Sequence, residues 1–256
     1  VTDVSAEHVH GGAERMLSHH LRALVGAGHA VTILTRQPKK NAALVLNIES
    51  LGIAEHRLPF SGDKGYQGLK HLKAGAKSWW KEHKNDFDVV VSEQPFVMWS
   101  LLKAGCKLPR LQVCYSFAFE EYETRYGLNL TLKKKLVITG MKRLEKQVYG
   151  SAEHLLVLSQ FTQDRFEAFF GIEANRVSVV PAAAETGDVA LLGQRNVLRE
   201  GLGWENPTVT TLRNLVPRTG VDLLIQTAAI VKAKGVVVRW VIMGDGALRE
   251  SMQKMS

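Results

Sequence analysis

The residues best suited to chemistry near the start of the chain are Gly11 and Gly12, in the run His8-Val9-His10-Gly11-Gly12-Ala13-Glu14-Arg15. Adjacent glycines let a backbone approach a ligand closely. They stand directly before an amphipathic run in which Met16, Leu17, His20, Leu21 and Leu24 recur at helical spacing, closed by Gly26 and Gly28. A helix start supplies unpaired N–H groups and a partial positive charge, so such a loop suits a phosphate. The alternative is a tight turn whose glycines serve backbone geometry alone, with Glu14 and Arg15 as ordinary first-turn residues.

A second group is acidic and aromatic: Phe117, Phe119, Glu120, Glu121, Tyr122, Glu123 and Tyr126. It follows an expected strand, and open parallel sheets gather ligand contacts at strand carboxyl ends. Glu120 or Glu121 could bind a hydroxylated substrate or act in acid–base chemistry. The alternative is a solvated helix start anchored by its aromatics. A third group is basic: Lys133, Lys134, Lys135, Lys142, Arg143 and Lys146, interleaved with Leu132, Leu136, Met141, Leu144 and Val148. A basic amphipathic helix can rest on an anionic membrane surface, or be a solvated helix face.

The elements that must position these residues alternate. Val1-Thr2-Asp3 reads as the end of a first strand. Strands are expected at 30–35, 43–48, 55–59, 86–92, 111–116, 152–159 and 177–181, with helices at 69–83, 95–104, 128–149 (broken at Gly140) and 160–170. Ser159 is placed to cap the last of these and Gly171 to end it. The alternation predicts a parallel sheet covered on both faces. Composition changes over 182–207, so a domain junction is expected near 182–190, dividing the chain into 1–185 and 186–256. The pattern then restarts with strands at 208–212 and 236–243 and helices at 221–232 and 247–255. Two strands and two helices are too few for a closed domain of this kind.

The chain has 256 residues, is 45% hydrophobic and carries a formal charge of +8, which favours an anionic partner. Cys106 and Cys114 stand in no metal-ligand or redox spacing, so reduced thiols and a cytoplasmic setting are expected. The histidines form no His-Glu-x-x-His pattern, and no metal or cofactor is expected. No stretch is apolar enough to span a membrane and no signal peptide is recognisable, although the first residue, Val1, is consistent with a trimmed start. No nucleic-acid motif is present, and no Gly-x-Gly-x-x-Gly follows the first strand, which argues against a dinucleotide-dependent dehydrogenase.

Five segments in order carry a resemblance: Gly11-Gly12-Ala13-Glu14-Arg15, Val157-Leu158-Ser159-Gln160-Phe161-Thr162, Arg176-Val177-Ser178-Val179-Val180-Pro181, Leu215 to Leu224, and Val241-Ile242-Met243-Gly244-Asp245-Gly246-Ala247-Leu248-Arg249. Together they resemble glycosyltransferase family 4, retaining sugar transferases of the GT-B fold. The resemblance implies a complete N-terminal Rossmann-like domain on the acceptor side and the first part of a second one that holds a nucleotide-diphosphate sugar. It implies donor-diphosphate contacts from Gly11, Gly12, Arg218 and Arg213, a nucleotide-site loop at Gly244 and Gly246, and acceptor-side candidates His10, Glu120 and Glu121. The acceptor would be a carbohydrate or a lipid-linked one, with the enzyme cytoplasmic and peripheral at a membrane.

The sequence also departs from that pattern. The family's usual cations beside the diphosphate are Asn214 and Thr219 here, with Arg213 and Arg218 one residue aside. On a strand, that offset turns Arg213 to the other face, leaving Arg218 the better placed. Ser116-Phe117-Ala118-Phe119 lacks the family's histidine, Pro181-Ala182-Ala183-Ala184-Glu185 replaces Pro-Gly-Gly-Val-Asp, and the family's Glu-x₇-Glu pair lies beyond residue 256. The chain therefore reads as the N-terminal part of a transferase. If it were the whole protein, a non-catalytic binding or regulatory protein on the same scaffold would be expected.

Overall fold

The computed structural model describes residues 1–4, 12–37, 48–60, 66–126, 130–183 and 193–255, in two compact units, Val1–Ala182 and Ala183–Ser256. The boundary expected at 185/186 and the strand expected at 43–48, apart from Ile48, lie outside the described residues.

The first unit opens with Val1–Asp3 and continues through α1 (Gly12–Gly26), β1 (Thr32–Arg36), β2 (Ala54–Leu58), α2 (Tyr66–His83), β3 (Val90–Ser92), α3 (Pro95–Lys103), β4 (Arg110–Cys114), α4 (Ala118–Tyr126), α5 (Leu132–Gly150), β5 (His154–Val157), α6 (Gln160–Phe170) and β6 (Val177–Val179). β1 pairs with β2, and β3-β4-β5-β6 form a second ladder, all parallel. The opening segment joins the two ladders. The Thr2 N–H donates to the Leu34 carbonyl on one side, while the Val1 nitrogen donates to Val91 and Glu93 N–H to Val1 on the other. The expected strand end at Val1–Asp3 thus lies between β1 and β3, as βαβ connectivity requires.

Local chemistry sets several boundaries. The Ser159 hydroxyl accepts from Thr162 N–H at the start of α6, and Gly171 ends it in the left-handed region at φ 68°. Thr131 caps α5 in the same way at Lys134. Helix α5 runs unbroken through Gly140, against expectation. A helical glycine costs only about 0.5–1 kcal/mol, and Leu144, Val148 and Tyr149 bury in the core on the same helix. β3 is shorter than the expected 86–92 because the chain pairs only from Val90.

The main core gathers Leu72, Val97, Met98, Leu101, Leu155, Val157 and Phe166 between sheet and helices. Phe117 and Phe119 are buried there, edge-on to Phe169 and Phe170, so the aromatics that open α4 are anchors. A satellite cluster of Leu17, Leu21, Ile33, Ile48 and Ile53 holds α1.

The second unit contains α7 (Arg195–Gly201), β7 (Thr208–Leu212), α8 (Val221–Ala233), β8 (Arg239–Met243) and α9 (Arg249–Gln253). β7 and β8 are parallel, around a small core of Leu215, Val221 and Met252. α7 was not expected. Its seven residues are mostly exposed and carry no apolar stripe from which to read it.

Candidate functional site

Gly12 is the first residue of α1, in the connection from the opening segment, which places the helix start by topology at the carboxyl edge of the sheet. A Cβ built on Gly12 meets nothing within 4 Å, and its φ is not in the positive region. Neither packing nor backbone conformation needs a glycine there. His10 and Gly11 lie outside the described residues.

The same edge carries a polar cluster that sequence reasoning missed. The Glu93 carboxylate, 4% exposed at the end of β3, is 2.7 Å from His20 Nδ1 and accepts from the Tyr115 hydroxyl at 2.9 Å. The hydrogen bond to Glu93 raises the His20 pKa against an opposing effect of burial. Burial and the nearby Glu93 charge push the Tyr115 phenol far up, so it stays a donor. Beside them the Asp3 carboxylate accepts from the Phe96 and Val97 amides at 3.0 and 2.7 Å, and Gln94 Oε1 accepts from Asp3 N–H. The signals were present: Glu93-Gln94 directly after a strand, and a histidine within the apolar stripe of α1. A cavity of about 320 Å³ adjoins His20 and Glu93, but its walls are mainly β1 and β3 with the residues just before them, Ala30, Val31, Asp88 and Val89. Parallel sheets place ligands at the opposite end.

The acidic candidates on α4 are both engaged. Glu120 forms an ion pair with Arg165, and burial raises its pKa against the lowering effect of Arg165. Glu121 accepts from the Ser116 hydroxyl at 2.7 Å. Beneath them the buried Glu145 carboxylate accepts from the Ala118 and Phe119 amides at 2.7 and 3.1 Å and from the Tyr149 hydroxyl at 2.9 Å.

In the second unit the structure brings three predicted residues together. Arg213 N–H donates to the Met243 carbonyl, and Leu215 N–H to Asp245, so Arg213–Leu215 runs beside Gly244–Gly246 at the carboxyl ends of β7 and β8. A Cβ on Gly244 would collide with the Arg213 carbonyl, and one on Gly246 with that of Leu215. These glycines are required by close backbone approach. Arg213 is exposed, and no ion pair of its side chain occurs among the described residues. Arg218 lies in the short 3₁₀ turn Pro217–Thr219 before α8, and its side chain is outside the description.

The basic run on α5 divides. Lys142 turns inward over the Phe119 and Phe169 rings, at 5.2 and 4.7 Å from their centroids. Lys133, Lys135, Arg143 and Lys146 are exposed, alongside Leu132 and Leu136, 77% and 67% exposed. Among the described residues, no helix is long and apolar enough to cross a membrane, and no group of three or more His, Cys, Asp or Glu could hold a metal ion.

A parallel α/β unit with a glycine helix start at its carboxyl edge, followed by a second α/β unit, is the GT-B type of glycosyltransferase fold. Residues 10–187 match the model of Glycosyltransferase Family 4, and the chain belongs to that family. No curated protein matches it by sequence. Among solved structures it is similar to a sucrose-phosphate synthase from Thermosynechococcus elongatus (TM-score 0.72, 15% identity), covering 99% of this chain and 66% of that one. It is likewise similar to HepE of Anabaena, solved in complex with UDP (TM-score 0.62, 16% identity, 99% and 63% covered). A third similar structure is the lipopolysaccharide outer core galactosyltransferase WaaB in its apo form (TM-score 0.57, 15% identity, 100% and 62% covered). At these identities the likeness is one of fold. The chain spans 62–66% of the length of these structures.

Proposed function

We propose that the protein is a retaining glycosyltransferase of hexosyltransferase type, moving a sugar from a nucleotide-diphosphate sugar to a carbohydrate or lipid-linked acceptor. The observation that carries this reading is the match of residues 10–187 to Glycosyltransferase Family 4, together with Gly12 at a helix start, where backbone N–H groups can meet a phosphate. When the bond from sugar to diphosphate breaks, negative charge grows on the leaving phosphate oxygen. The N–H groups at Gly11 and Gly12 would meet that charge in the transition state, and Arg218 and Arg213 are the cations that the second unit would offer a diphosphate. Gly244 and Gly246 keep the adjoining loop close to Arg213, forming one wall of the nucleotide site. His10, Glu120 and Glu121 are the acceptor-side candidates. Since Glu120 already pairs with Arg165 and Glu121 with Ser116, their role would be to hold acceptor hydroxyls. The reading needs no metal or other cofactor, since helix-start amides and arginines answer the diphosphate charge.

A lipid-linked acceptor would place the protein at the cytoplasmic face of a membrane. Exposed Leu132 and Leu136 flanked by Lys133 and Lys135 support contact with an anionic surface. Lys134 and Lys142 are turned partly inward, so Arg143 and Lys146 supply the remaining outward charge. Salt-sensitive sedimentation with anionic vesicles, lost when Leu132 and Leu136 are replaced by serine, tests it.

The deciding experiment incubates the full-length protein with a panel of nucleotide sugars and follows release of nucleoside diphosphate and the anomeric configuration of the product by NMR. Release with retained configuration is expected. Asn214 and Thr219, at positions the resemblance assigns to cations, favour a second reading, a binding protein on the same scaffold. Nucleotide binding without release from any donor would establish that alternative.

A further inference from the structure

We infer that Glu93 is a positioning residue for donor binding: through His20 it ties helix α1, and with it the Gly12 helix start, to the carboxyl edge of the sheet, in a pH-sensitive way. The inference rests on the reading of Gly12 as a diphosphate contact.

The apolar face of α1 buries Leu17 and Leu21 in the small satellite cluster, separate from the main core that holds Val90 and Cys114 of β3 and β4. The His20–Glu93–Tyr115 chain crosses from one to the other. Both carboxylate oxygens of Glu93 are used, Oε1 by His20 on α1 and Oε2 by Tyr115 beyond β4. Glu93 is almost fully buried, whereas the His20 side chain is one-third exposed and open to protons from solvent. A charged imidazolium binds the buried carboxylate more strongly than a neutral ring does.

The sign follows from the raised His20 pKa. The extra tie is complete below the ordinary histidine value of 6.5 and is lost as pH rises through the higher folded value. Other ionisable groups surround this edge. Asp3 is committed to the α3 amides, Arg36 Nε donates to the Asp3 carbonyl, and the Tyr115 phenol stays protonated. The Val1 nitrogen donates to the Val91 carbonyl. His29, Asp86 and Asp88 also line the adjoining cavity.

The test measures the Kd of UDP, with GDP and ADP as alternatives, by calorimetry on the full-length protein from about pH 6 to about pH 8.5, across the histidine range. The wild-type Kd should rise roughly two- to fivefold over that range, the scale of one helix-end contact. His20→Asn keeps an N–H donor near the Nδ1 position without titrating, and should hold a low, flat Kd. His20→Ala and Glu93→Gln should show the high Kd throughout. A wild-type pH slope in His20→Asn, or wild-type Kd values in both His20→Ala and Glu93→Gln, overturns the inference. If Glu93→Gln fails to fold, the two His20 variants carry the test. Loss of UDP in Gly12→Leu with both His20 variants unchanged rejects the positioning role alone. No binding of any of the three nucleotides to the wild type rejects the diphosphate reading and, with it, this inference.

Discussion

Gly244 lies against the carbonyl oxygen of Arg213 at φ 149°, with no space between them for a Cβ. The contact aligns the loop after β8 with the residues that follow β7. Replacing Gly244 by alanine forces backbone to move against backbone. It should cost the second unit about 1–3 kcal/mol, the scale of a strained backbone position. Gly246→Ala should behave alike, since its Cβ would meet the Leu215 carbonyl. Denaturant unfolding of each variant checks this, and an unchanged midpoint would contradict the geometry.

Gly12 predicts the reverse behaviour. Its Cβ position is open, so Gly12→Leu should shift stability by no more than about 0.5 kcal/mol, as for surface substitutions. Donor binding should fall by roughly tenfold or more, about the effect of losing one charge-assisted hydrogen bond. Paired thermal unfolding and nucleotide-sugar binding separate the two effects. A variant that binds donor normally removes Gly12 from the diphosphate site.

Glu145 predicts a pH dependence of stability. Burial raises its pKa from 4.5 to about 7, against the lowering effect of its amide and Tyr149 hydrogen bonds. The folded state therefore holds this proton more tightly than the unfolded state does. The stabilising contribution is complete below about pH 4.5 and is lost as pH rises to about 7, by on the order of 3 kcal/mol. Glu145→Gln should remove that slope. Unfolding free energies at acid and neutral pH, wild type against variant, measure it.

The two thiols should be inert in the folded protein. Cys114 is buried and burial pushes its pKa up to about 12, while burial also raises Cys106. At pH 8 the thiolate fraction of Cys114 is on the order of 10⁻⁴, from the distance to its pKa. A thiol reagent should modify neither before unfolding. Fast labelling of Cys114 in the native protein would place it at the surface instead.

Much of the fold was legible because its signals are local. The ends of α6 follow from a hydroxyl at Ser159 and a glycine at Gly171, each acting within one turn. Strands β1, β4 and β8 fall inside or beside runs of apolar and β-branched residues. α7 lacked such a pattern, and the break expected at Gly140 was overruled by burial of Leu144, Val148 and Tyr149 on the same helix.

The site divides along the same line. Residue types and order alone determined the alternating α/β architecture, the glycine helix start and the family resemblance, because chain stereochemistry and hydrophobic period act over a few residues. Only the tertiary structure decided which polar groups meet. Asp3 caps α3 across more than ninety positions of sequence, and Glu93 joins His20 to Tyr115 across three elements. Likewise, only the folded chain distinguishes Gly12, which faces open space, from Gly244, pressed against Arg213. A hydrogen bond or a close approach depends on distances set by how distant segments pack, and a linear pattern carries no record of those distances.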